Sequence, residues 1–176
     1  SRPFFVALLG DRYGWVPTQQ SWDAIVDGMD AGERMFINGE TQQARSVTEL
    51  EILFGALMDT DSLQRSFFCF RRDDVYEQMD STHRSQYCEA NGVARQHLAE
   101  LKGKIADTMH THRLDHNVMS YGCGWDGQRL TGLDELVNFL STALVQEILL
   151  YESEDSSDNH EDEFEQLNTL TLQRVE

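Results

Sequence analysis

The chain has 176 residues, 40% of them hydrophobic and 10% aromatic, so a domain of this size buries roughly 70% of its unfolded surface, and the composition argues against disorder of the whole chain. Lys and Arg number 14 against 31 Asp and Glu, and the net charge of −17 argues against general nucleic-acid binding, because such a chain repels a phosphate backbone. No run reaches the ~18 apolar residues of a membrane span, and Cys69, Cys88 and Cys123 are too widely spaced for a disulfide framework or a zinc site; they read as free thiols of a cytosolic, reducing compartment.

Ser1-Arg2-Pro3 lacks an initiator Met and leads straight into Phe4 to Leu9, as expected of an internal segment of a longer protein. That run is apolar at every position and ends at Gly10, the pattern of a buried parallel strand. Gly10 to Pro17 mixes glycines, charges and a proline, so it reads as a loop at the carboxyl end of the strand, where open α/β sheets bind ligands. Ser21 to Met29 suits a short helix, and Asp30 to Arg45 shows no strong period. Ser46-Val47-Thr48-Glu49 is a capping box that starts a helix, with Val47, Leu50, Leu53, Phe54 and Leu57 on one face and Gly55 tolerated inside at about 1 kcal/mol.

Ser66 to Phe70 predicts a second buried strand, followed by a polar, irregular stretch from Arg71 to Ala90. Leu98, Leu101, Ile105 and Met109 mark an amphipathic helix over Gln96 to Met109, with Glu100 four before Lys104 for a supporting pair. Asn117 to Tyr121 is the third strand, closed by a glycine-rich loop over Gly122 to Gly127. Thr131 to Asp134 repeats the capping logic, and Leu136, Val137, Leu140, Leu144, Ile148 and Tyr151 trace the longest helix face. Alternation of strand and helix implies a Rossmann-like or flavodoxin-like parallel sheet over residues 1–151, and three strands are few, so further strands are expected before Ser1. Residues 152–176 form a tail with eight acids and no Lys or Arg between Glu152 and Glu165, then an apolar end segment over Phe164 to Gln173 that suits docking elsewhere.

Two stretches carry a resemblance: Arg2-Pro3-Phe4-Phe5-Val6-Ala7-Leu8-Leu9-Gly10-Asp11-Arg12-Tyr13-Gly14-Trp15-Val16-Pro17 and Ser46-Val47-Thr48-Glu49-Leu50-Glu51-Ile52. With Phe67 to Arg71, Leu98 to Lys102 and Leu130 to Leu136 in the same order, the chain from about residue 2 to 150 resembles the domain that precedes the NACHT nucleotide-switch module in telomerase-associated, nephrocystin and NACHT/WD-repeat proteins. The resemblance implies a TIR-like or flavodoxin-like sheet whose opening strand, helix and second strand lie upstream. It also implies a place in a large STAND-type ATPase assembly with WD or TPR repeats, in cytosolic ribonucleoprotein particles or in cilia. No G-x-x-x-x-G-K-S/T loop occurs in these residues, so ATP hydrolysis is not assigned to them.

Thr48-Glu49-Leu50-Glu51 has the Thr-x-x-Glu spacing of nucleoside deoxyribosyltransferases, and TIR-like NAD-cleaving domains also use a helix glutamate, so Glu51 is the candidate carboxylate of an NAD or nucleoside N-glycosidase. The plainer reading is preferred: Glu49 caps the helix and Glu51 faces solvent. Gly10, Asp11 and Arg12 are candidates for nucleotide phosphate contact, against a tight loop in which Asp11 pairs with Arg12. His110, His112 and His116 lack the supporting residues of a metal site and read as loop side chains, and Trp15, Trp22 and Trp125 line a cleft or simply bury area. The expectation from these weights is a non-catalytic protein-interaction domain with protein partners and neither direct nucleic-acid contact nor a cofactor; NAD or a nucleotide enters only with the glycosidase alternative.

Overall fold

The structure, a computed structural model, describes residues 4–37 and 45–150, and of residues 35–37 the backbone only. The remaining stretches hold Tyr151, His160, the acidic run and the apolar end segment, so those readings lie outside the described residues. The chain divides into two compact units, Ser1–Leu136 and Val137–Glu176. Of the second, residues 137–150 are described and are helical.

The first unit is α/β. Strands β1 (Phe5–Leu9), β2 (Ser66–Arg71) and β3 (Val118–Tyr121) form one parallel sheet in the order β1-β2-β3, Phe5 opposite Ser66 and Phe68 opposite Val118. Parallel neighbours need long crossovers, and helices supply them. Helices α1 (Gln19–Gly28), α2 (Ala31–Ile37), α3 (Val47–Ile52) and α4 (Thr60–Gln64) lie between β1 and β2, and α5 (Ser81–Tyr87) and α6 (Gly92–Thr111) between β2 and β3. A two-residue antiparallel hairpin, β4 (Gly124–Trp125) with β5 (Leu130–Thr131), precedes helix α7 at 134–150. This architecture is a partial Rossmann-like or flavodoxin-like fold.

The helices start where the capping chemistry places them. Thr18, Ser46, Asp59, Asp80 and Asn91 each accept a backbone N–H of the first turn through a side-chain oxygen. Leu98, Leu101, Ile105 and Met109 of α6 are buried against Ala7, Leu9 and Phe68 of the sheet and against Ile52, Leu53, Ala56 and Leu57. On the other side of α3, Trp22 buries itself with Leu50.

Four expectations change. The first strand is not buried on both faces: β2 is the central strand, buried from Ser66 to Cys69, whereas β1 is an edge whose Val6 and Leu8 are exposed. The helix begun at Ser46 does not run on as an α-helix, because Leu53–Leu57 form a π-helical turn. Gly55 in that turn is a packing requirement, since a Cβ there would lie 2.9 Å from the Phe5 ring. The stretch after Arg71 holds a 3₁₀ helix, Asp73–Gln78, and then α5, and the glycine-rich loop holds β4.

Candidate functional site

The two stretches that carry the resemblance meet in space and hold each other. Tyr13, only 2% exposed, donates its phenolic O–H to Glu49 Oε2, and the other oxygen of that carboxylate is paired with Arg45. Burial, then the Glu49 hydrogen bond, pushes the Tyr13 hydroxyl well above its ordinary pKa, so it stays a donor. Gly14 has φ +97° and packs on the start of α3: a Cβ there would lie 2.9 Å from Thr48 Oγ1. Val47 N–H then donates to the Trp15 carbonyl at 3.0 Å. The Ser46 hydroxyl caps α3 by accepting the Glu49 N–H, and the Glu49 carboxylate, in place of the expected capping role, is the buried clasp between the loop and α3.

Glu51 has a different setting. It is exposed on α3 and lines a groove of about 730 Å³ that runs along the whole of β1, with Val47, Leu50, Phe54 and Gly55 among the other walls. Thr48 is the one other polar side chain of that lining. A carboxylate that attacks a nucleoside needs a partner to protonate the leaving base, and the groove walls hold none; the nicotinamide of NAD leaves neutral and needs no such partner.

Polar groups converge instead beyond the carboxyl ends of β1 and β2. Asp11 Oδ2 accepts the Tyr76 O–H at 2.6 Å, Arg71 Nη2 donates to the same Tyr76 oxygen at 2.6 Å, and Lys102 Nζ donates to Asp11 Oδ1 at 3.2 Å. The Arg71 guanidinium lies 5.5 Å over Tyr76 and 5.4 Å over Tyr87. Burial first, and the bond to Asp11 second, raise the Tyr76 pKa far above the ordinary phenol value. The glycines that end the outer strands make room for Arg71 and for its neighbour Arg72, which lies outside the network: a Cβ on Gly10 would reach 2.5 Å from Arg71 Nη2, and one on Gly122 would overlap Arg72 Nη2.

Beside this network a second cavity, of about 430 Å³, is walled by Arg95, Leu98, Ala99 and Lys102 of α6 and by Arg84 of α5. Of the three residues read as phosphate contacts, only Asp11 lines it. Gly10 packs on Arg71, and Arg12 Nη1 donates to the Gln86 carbonyl at 3.0 Å rather than pairing with Asp11. The sequence carried one unused sign of this cavity, because Arg95, Leu98, Ala99 and Lys102 recur at helical spacing on one face of α6.

The three tryptophans separate. Trp22 is core, Trp125 packs edge-on to Tyr87, and Trp15 is 66% exposed at the tip of its loop. His110 shares its Nδ1 with Asp115 Oδ1 at 2.9 Å, and among the described residues no group of three His, Cys, Asp or Glu side chains is placed to hold a metal ion. Burial alone pushes the Cys69 thiol up to about 11, so it is an inert core side chain. Among the described residues no helix is long and apolar enough to cross a membrane. No family model, no curated protein and no solved structure matches the chain.

Proposed function

We propose that this segment is a non-catalytic protein-interaction domain that works inside a large NACHT-type ATPase assembly, in the cytoplasmic or ciliary setting that the resemblance implies. The tip of the Gly10 to Pro17 loop carries this reading. Tyr13 is locked to Glu49, Gly14 is packed on Thr48, the Trp15 carbonyl is held by Val47 N–H, and Pro17 is buried. The indole of Trp15 and the side chain of Val16 nevertheless point outward. A tryptophan held out on a pinned backbone loses little freedom on binding and has the composition of an interface hot spot. The partner is a protein surface with an apolar pocket, and its rim is basic to match a chain of net charge −17.

One observation favours the N-glycosidase alternative, namely that Glu51 lines a groove large enough for a nucleoside. The apolar walls around it weigh the other way. To test the interaction reading, the full-length protein and its Trp15→Ala form are compared by sedimentation in the native assembly. The variant is expected to leave the assembly while keeping its circular dichroism. Co-sedimentation identical to wild type would count against Trp15 as the anchor.

A further inference from the structure

We infer that the cavity beside the Asp11-Tyr76 network is a binding site for a nucleoside phosphate, distinct from the groove that contains Glu51. In a chain with 31 acids and 14 Lys and Arg, a cation has carboxylates to spare, so an unpaired guanidinium in a concave site stands out. Arg84 and Arg95 both line the cavity, and among the described residues neither side chain has a hydrogen-bond or ion-pair partner.

The acids of the same cavity are mostly engaged. Both oxygens of Asp11 are taken, by Tyr76 and by Lys102, and Glu89 Oε1 accepts the Asn91 N–H at 3.2 Å. Asp73 is the one carboxylate of the lining with neither oxygen engaged, and Glu89 keeps its Oε2 open. Two free guanidinia from two helices, Lys102 beside them and one free carboxylate define the ligand's groups. The guanidinia take phosphate oxygens in forked hydrogen bonds, and Asp73 accepts from a sugar hydroxyl. Leu98 and Ala99 between Arg95 and Lys102 give the base an apolar wall.

The volume of about 430 Å³ falls within the ~300–1,000 Å³ of small-molecule sites, and the position beyond the carboxyl ends of parallel strands is where such sheets bind ligands. Adenosine lacks the phosphates the guanidinia would hold, and inorganic phosphate lacks the sugar and base. Neither alone fills the cavity.

Isothermal titration of the full-length protein with ADP, with adenosine and with inorganic phosphate tests this site. ADP is expected to bind saturably and more tightly than either fragment, and Arg84→Ala and Arg95→Ala are each expected to weaken it about tenfold or more. Both arginines are exposed, so the variants keep the fold, and Arg129→Ala, at an exposed arginine outside the cavity, is the control expected to bind as wild type. If a nucleotide-switch module elsewhere in the polypeptide also binds ADP, only the component lost in Arg84→Ala belongs to this cavity. The inference is overturned by ADP binding that both arginine variants leave unchanged, by the absence of saturable ADP binding, or by inorganic phosphate binding as tightly as ADP.

Discussion

Two hollows among the described residues differ in kind. The groove along β1 is the larger, about 730 Å³, yet it is walled by strand and helix residues that are almost all apolar and holds one carboxylate, Glu51. The cavity beyond the strand ends is about 430 Å³ and draws charged side chains from the β1 loop, the 3₁₀ turn, α5 and α6. Chemistry needs several polar groups at one point, and only the smaller hollow supplies them. A motif's most reactive-looking residue is a poor guide when its neighbours in space are apolar.

The same contrast separates the two glutamates of α3, which stand two residues apart. Glu49 binds Tyr13 and Arg45 in a buried setting, so Glu49→Ala strands both partners and is expected to cost about 2–4 kcal/mol in denaturant unfolding. Glu51→Gln is expected to fall within about 0.5 kcal/mol of wild type. Equal costs for the two would break the distinction. Gly55→Ala probes the wall of the groove: the added methyl meets the Phe5 ring, and a loss of about 1–3 kcal/mol is expected by thermal unfolding.

The cavity side is tested by Tyr76→Phe, which removes the hydroxyl shared by Asp11 and Arg71. A loss of about 1–2 kcal/mol is expected, and a neutral result would show that Lys102 alone satisfies Asp11. The smallest effect is one of pH. Asp80 caps α5, which carries Arg84, and the hydrogen bonds it accepts, first from the His83 N–H, hold its pKa below the ordinary 3.8. A lowered folded pKa means that its contribution is complete above about pH 4 and fades as pH falls through the folded value. The stability gap between wild type and Asp80→Ala is therefore expected to close as pH falls below about 4. A gap that persisted undiminished to about pH 2 would refute the assignment.

Much of the scaffold was legible because its signals are local. The apolar runs at Phe4, Ser66 and Asn117 became β1, β2 and β3, the Ser46 oxygen caps α3, and the Leu98 to Met109 periodicity is the buried face of α6. The edge position of β1 was not legible, since strand order is a tertiary property and the residues that leave Val6 and Leu8 uncovered are not adjacent in sequence. Nor was the π turn, which sets Gly55 against the sequence-distant ring of Phe5.

The site was legible only in part. Asp11 was correctly placed at a strand end, but its partners Tyr76 and Lys102 lie 65 and 91 residues away, and α5 hid in a stretch without apolar period. Arg12, its neighbour, turned aside to the Gln86 carbonyl. Glu49 looked like an ordinary cap because burial by Tyr13 leaves no mark in the Ser-x-x-Glu spacing.

The most direct test of the central claim is cleavage of NAD and of nucleosides by the full-length protein beside its Glu51→Gln form, followed by product chromatography. The interaction reading predicts no turnover by either form. Turnover by wild type that is lost in Glu51→Gln would contradict it and make the groove along β1 an active site.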